Sequence, residues 1–177
     1  MNGPSDSIGG ASAPALVEDV FLTDAFLIKG RLQNKSKRLT NALEDQTRAF
    51  LRIQDATMVS LRAFEVIRTP VVLVNEHEII CAHELLDTAG DDVLRRLALP
   101  NKTTRVRAFY NGAVQFELAG QIEPGAYEAQ STGRKYFIVQ KPVLRGLNLD
   151  HPDLALLKKL DYAIVRKDKL AYVYDFG

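Results

Sequence analysis

The sequence predicts a mainly β protein in which two small five-stranded barrels stand in tandem, joined by one helix. Three observations predict it: short β-prone runs bounded by turn residues recur along the chain, three segments of the first half have ungapped counterparts in the second half in the same order, and one stretch between the halves has the charge pattern of a helix. The expected organisation is a tail at 1–15, a first barrel at 16–86, a connecting helix at 87–102 and a second barrel at 103–177.

The duplication rests on three pairings. Residues 71–85, VVLVNEHEIICAHEL, align with residues 162–176, YAIVRKDKLAYVYDF: each has an apolar run, a polar stretch of four and a second β-prone run, the pattern of a hairpin with a tight turn. Residues 50–61, FLRIQDATMVSL, align with 136–147, YFIVQKPVLRGL, with Gln54 opposite Gln140. Residues 26–33, FLIKGRLQ, align with 116–123, FELAGQIE, placing Gly30 opposite Gly120 inside a strand pattern, where a glycine marks a sharp bend or a close backbone approach.

Taken in order, the first copy opens with a strand at 17–23, a turn at Asp24 and a strand at 26–33. A polar connector and the helix-like spacing of Leu39, Ala42 and Leu43 lead to a strand at 50–61 and the final hairpin. Between the copies, LLDTAGDDVLRRLALP has Asp91 and Asp92 at its start, Arg95 and Arg96 in its second half and Pro100 beyond, in agreement with the helix dipole at both ends. The second copy opens with RVRAFY and turns at Asn111-Gly112, the best short hairpin signal in the chain. Pro124-Gly125 ends the next strand, residues 136–144 form another, and HPDLALLKKL supplies a short helix before the terminal hairpin.

Five bent strands, a glycine midway in the second, a helix upstream of the second copy and a closing hairpin resemble the small β-barrels of the Sm and LSm family. Gly30 and Gly120 match the strand glycine of that family's first motif, and Arg166-Lys167 is similar to the basic turn of its second. The family's Asp-x-x-x-Asn loop has no counterpart, since Gly30 is followed by RLQNKSKRLTN and Gly120 by QIEPGAYEA, and Asn75-Glu76 stands where the first copy's basic turn would fall. The resemblance therefore implies a fold and a mode of assembly, in which the fourth strand of one unit pairs with the fifth strand of the next. Five-stranded barrels of the OB and SH3 types give the same sequence pattern and remain alternatives.

Composition narrows the function. The 177 residues carry 23 basic and 22 acidic side chains, a net charge of +1, so there is no overall positive field and any polyanion site is local. The single cysteine, Cys81, forms no internal disulfide, the first fifteen residues lack a secretory signal pattern, and no apolar run approaches the roughly 20 residues of a membrane span, all of which points to a cytoplasmic protein. No P-loop, G-x-G-x-x-G or G-x-S-x-G occurs, and no cofactor or metal site is expected: Cys81, His83 and His77 are too few, and His151 with Asp150 and Asp153 reads as a helix entry.

The leading expectation is a non-catalytic, oligomerising scaffold or binding module that self-associates through β-strand edges, with three chains closing a pseudo-hexameric ring. Its interface candidates are Val72, Val74, Ile164, Tyr172 and Tyr174, with Glu76 and Glu78 in one copy's turn facing the basic turn of the other. The alternative is binding of RNA or another polyanion through Lys29, Arg31, Lys35, Lys37 and Arg38 in one loop and Arg166, Lys167 and Lys169 in another. A third is an enzyme with a dispersed, motif-free site.

Overall fold

The protein is described as a computed structural model over residues 18–35, 38–45, 47–85, 100–128 and 133–177. These residues are mainly β and form one open, ten-stranded antiparallel sheet. The first half contributes β1 (Asp19–Leu22), β2 (Phe26–Leu32), α1 (Leu39–Leu43), β3 (Phe50–Ser60), β4 (Val66–Asn75), a 3-10 turn (Glu76–Glu78) and β5 (Cys81–Glu84). The second contributes β6 (Thr104–Asn111), β7 (Gln115–Ile122), β8 (Tyr136–Arg145), a 3-10 segment (Ala155–Lys159), β9 (Tyr162–Arg166), a 3-10 turn (Lys167–Lys169) and β10 (Tyr172–Asp175).

The order across the sheet is β10-β6-β7-β8-β9-β5-β1-β2-β3-β4. Each half thus runs fifth-first-second-third-fourth. The halves also share their irregularities. Ladder register shifts between Lys29 and Arg31 in the first half and between Ala119 and Gln121 in the second, around Gly30 and Gly120. Opposite these bulges, Asp55 (φ 50°) and Lys141 (φ 47°) both take the left-handed conformation that is uncommon outside glycine. A Cβ on Gly30 would meet the Ile53 side chain at 2.6 Å and the Gln54 carbonyl at 2.7 Å; on Gly120 it would meet the Val139 side chain and, at 2.8 Å, the Gln140 carbonyl. Equivalent residues crowd both glycines, so both must lack a side chain.

The two expected hairpins need correction. The runs at 71–85 and 162–176 are not hairpins: β4 pairs with β3 and β5 with β1, while β9 pairs with β8 and β10 with β6. Tight two-residue hairpin turns need glycine or asparagine at positive φ, and both polar stretches instead coil into 3-10 turns that carry the chain to the other edge of its unit. The short helix expected in HPDLALLKKL is present, as a 3-10 segment over Ala155–Lys159; Leu154, Leu157 and Leu160, all buried, recur every third residue and so fit three residues per turn. The tail at 1–15 and all of the connecting helix but residues 100–102, which are not helical, lie outside the described residues. No helix among the described residues is long and apolar enough to cross a membrane.

Strand burial alternates where one face meets a core, as in β6 and β7, and is continuous in β5 and β9, which are covered on both faces. The two cores interpenetrate at these central strands. Tyr136, Tyr162 and Ile164 of the second half pack with Phe21, Leu39, Ile53 and the rest of the first half's core. Val20, Leu22, Leu27 and Val59 of the first half pack into the second half's core around Leu118, Ile122 and Val139.

Candidate assembly interface

The internal junction is built by β5 and β9, the fifth strand of the first half and the fourth strand of the second, which pair antiparallel with Cys81 opposite Val165 and Ala82 opposite Ile164. The Arg166 amide extends this ladder by donating to the Ile80 carbonyl at 2.9 Å. The side chains follow the pleat, so Ala163 and Val165 face one core while Tyr162 and Ile164 face the other.

The two equivalent 3-10 turns meet at the end of this ladder. The buried Arg166 guanidinium donates to the Glu76 carboxylate at 2.8 Å and to its backbone carbonyl at 3.0 Å, and it bonds Asp168 of its own turn at 2.6 Å. The Tyr136 hydroxyl donates to the Glu76 carboxylate at 2.9 Å, and Lys135 adds a contact at 3.2 Å. Burial, with the Glu76 carboxylate beside it, pushes the Tyr136 hydroxyl well above its ordinary range, so it remains a donor. At the other end of β5, Lys35 bridges Asp19 (2.7 Å) and Glu84 (2.9 Å), and the Tyr162 hydroxyl donates to Glu84 at 3.2 Å. A buried ion cluster with its hydrogen bonds satisfied favours one register over its neighbours, because a slip would strand each charge.

The outer edges of the sheet, β4 and β10, are the other fourth and fifth strands, and among the described residues neither has a partner strand beyond it. Leu73 on β4 occupies the place of Ile164 on β9, yet Leu73 is 59% exposed and Ile164 0%. Tyr172 and Tyr174 on β10 stand where Cys81 and His83 stand on β5; the tyrosines are 68% and 60% exposed, the junction residues 3% and 6%. The side chains that the internal junction covers are thus apolar or aromatic on the open edges and uncovered there.

The sequence-selected residues fall into three groups. Ile164 and Glu76 are buried in the junction, Val74 is buried in the first half's core with Val72 packed against it, and Tyr172 and Tyr174 lie on the open edge, with Glu78 in the exposed part of its turn. Among the basic residues, Lys29 pairs with Glu18 at 3.1 Å, Arg31 with Asp55, and Lys35 with Asp19 and Glu84, while the buried Arg166 pairs with the buried Glu76 and with the exposed Asp168. Arg38 starts α1, Lys167 and Lys169 are half-buried, and Lys37 lies outside the described residues. Among the described residues, the two basic stretches do not come together as one free cationic surface. No group of three metal-binding side chains occurs among the described residues, and burial pushes the Cys81 thiol up to about 12, far from a nucleophilic thiolate. His151 stacks on Phe64 with ring centroids 4.8 Å apart.

The residues that local sequence reasoning missed are Arg105, Arg107, Lys141 and Arg145, which line one groove on the outer face of the second half. The alternation in RVR signals two arginines on one strand face; their meeting with Lys141 and Arg145 depends on strand register. In comparison with known proteins, the chain matches no family model, no curated protein and no solved structure.

Proposed function

We propose that the chain is a non-catalytic assembly module: two Sm-like barrels in tandem that join head to tail, the open fourth strand of one chain pairing with the open fifth strand of the next. One observation carries this reading. The same pair of strand edges that meets inside the chain is presented again at its two ends, with Leu73, Tyr172 and Tyr174 uncovered where their counterparts are buried. Unpaired strand edges bearing exposed apolar side chains are what native sheets avoid unless a partner covers them.

Transferring the internal register predicts Tyr172 opposite Val74 and Val173 opposite Leu73 of the next chain. Such a contact is heterologous, and it makes a ring if the rotation closes; three chains would close a ring of six units. Lys167 and Lys169 of one chain would approach Glu78 of the next, a pairing of unlike charges that disfavours the reversed contact. The repeated order of five strands and the matched bulges support the Sm-like reading over the OB and SH3 alternatives.

The test is molar mass by light scattering at micromolar concentration. The module should run as a closed oligomer, and Leu73→Asp, at an exposed position, should give a folded monomer with an unchanged far-ultraviolet circular dichroism spectrum. A wild-type chain that stays strictly monomeric overturns the proposal.

A further inference from the structure

We propose that the outer face of the second half, centred on Arg105 and Lys141, binds the backbone of a single-stranded nucleic acid. The inference comes from comparing equivalent positions in the two halves. The Leu85 amide donates to the Glu18 carbonyl at 2.7 Å, and the Phe176 amide donates to the Arg105 carbonyl at 3.0 Å, so Glu18 and Arg105 hold the same place beside the first strand of each unit. Asp55 and Lys141 hold the same place at the left-handed residue opposite each bulge.

In the first half this patch is self-neutralising. Glu18 pairs with Lys29, and Asp55 pairs with Arg31. In the second half, Arg105 replaces Glu18 and Lys141 replaces Asp55, while Ala119 and Gln121 stand in place of Lys29 and Arg31. Both acids have become bases, and neither Arg105 nor Lys141 has a carboxylate within ion-pair distance among the described residues. Arg107 and Arg145 join them along a groove of about 540 Å³. Among the described residues one carboxylate, Glu117, pairs with two of these four cations, Arg107 at 2.7 Å and Arg145 at 3.4 Å. Four cations on one face that share a single carboxylate favour a ligand that supplies several anions at a regular spacing.

The aromatic side chains select the kind of chain. The Arg105 guanidinium lies over the Phe176 ring at 5.8 Å; Phe176 is more than half exposed and its counterpart Leu85 stays partly exposed at the internal junction, whereas Tyr174, which meets Phe176 edge to face at 4.7 Å, belongs to the edge that assembly covers. An exposed ring such as Phe176 beside a cationic groove stacks an unpaired base, which a duplex keeps to itself. The site is also separable from assembly. At the internal junction the counterparts Glu18, Lys29, Arg31 and Asp55 stay partly exposed, so the corresponding end of the groove stays open when the edges are paired.

The experiment is fluorescence anisotropy of the full chain with a labelled single-stranded oligonucleotide of about ten nucleotides, across a salt series. Binding should weaken with salt with a logarithmic slope of about −2 to −3, as expected for about four phosphate contacts to a single strand. Arg105→Glu with Lys141→Asp, which restores the first half's acids, should lower affinity by more than about tenfold and flatten the slope. Lys29→Ala with Arg31→Ala should leave binding unchanged, and Phe176→Ala should weaken the oligonucleotide but not inorganic polyphosphate. Oligomeric mass and thermal melting of Arg105→Glu/Lys141→Asp should match the wild type, which separates this site from the assembly reading. Absence of binding at low salt, an undiminished affinity in that double variant, or polyphosphate or duplex bound as tightly as the single strand with no effect of Phe176→Ala, would each overturn the proposal.

Discussion

At Lys35 a single ammonium serves two carboxylates that the fold has taken out of water. Burial pushes the Asp19 carboxyl above its ordinary range even with Lys35 beside it. At Glu84 burial acts in the same direction, but Lys35, the Leu39 amide and the Tyr162 hydroxyl outweigh it and hold that carboxyl below the usual range. Lys35→Met leaves both carboxylates without their cation, so both should rise. A folded-state value above the unfolded one means that stability falls as pH rises through the interval between them, whereas the wild-type Glu84, with its lowered value, adds stability that is lost as pH falls. Lys35→Met should therefore cost about 3 kcal/mol near pH 7, the scale of a broken buried ion pair, and distinctly less near pH 4. Urea unfolding at both pH values measures this; an equal cost at both would contradict the account. The residue types were visible in the sequence, but Asp19, Lys35 and Glu84 are brought together by the pairing of β1 with both β2 and β5, and the charge of Lys35 reads locally as part of a basic loop.

At the scale of elements, what could be read depended on whether the signal was local. Gly30 and Gly120 marked real bends because a glycine inside a strand pattern has a local steric cause, here the carbonyls of Gln54 and Gln140. Asn111-Gly112 marked a true hairpin, β6 to β7. The segments 71–85 and 162–176 misled because two β-prone runs around a polar four look like a hairpin whichever partners the strands choose. The missing glycine in Asn75–Glu78 and Arg166–Lys169 was the available warning. Since both bulges have the same cause, Gly30→Ala and Gly120→Ala should behave alike, each destabilising by about 1–3 kcal/mol through overpacking against backbone that cannot withdraw. Denaturant midpoints should fall in both variants with little change in slope. A variant that unfolds like the wild type would show that the bulge relaxes around a methyl group.

Across the whole molecule, the order of the repeat was legible and the way the halves join was not. Matching patterns at 26–33, 50–61 and 71–85 with their counterparts indicate duplication, but a continuous ten-stranded sheet depends on one long-range contact, β5 with β9, that no local period announces. The burial of β5 and β9 on both faces is the consequence of that contact rather than a cue to it. The contact also sets how the protein unfolds. The second half's core contains Val20, Leu22, Leu27 and Val59 of the first, and the first half's core contains Tyr136, Tyr162 and Ile164 of the second. Opening one half strips apolar surface from the other, at about 25 cal/mol for each Å² exposed, and also leaves Arg166 and Glu76 without each other. Neither half should then retain an independent transition. Calorimetry should show a single endotherm, with calorimetric and van't Hoff enthalpies in agreement for the Leu73→Asp monomer. Ile164→Ala, a truncation in β9 of the second half, should lower the stability read by probes in both halves by the same amount, about 2–5 kcal/mol for a buried isoleucine. Two resolved transitions, or a shift confined to the second half, would mean that the halves are coupled by their chain and not by a shared core.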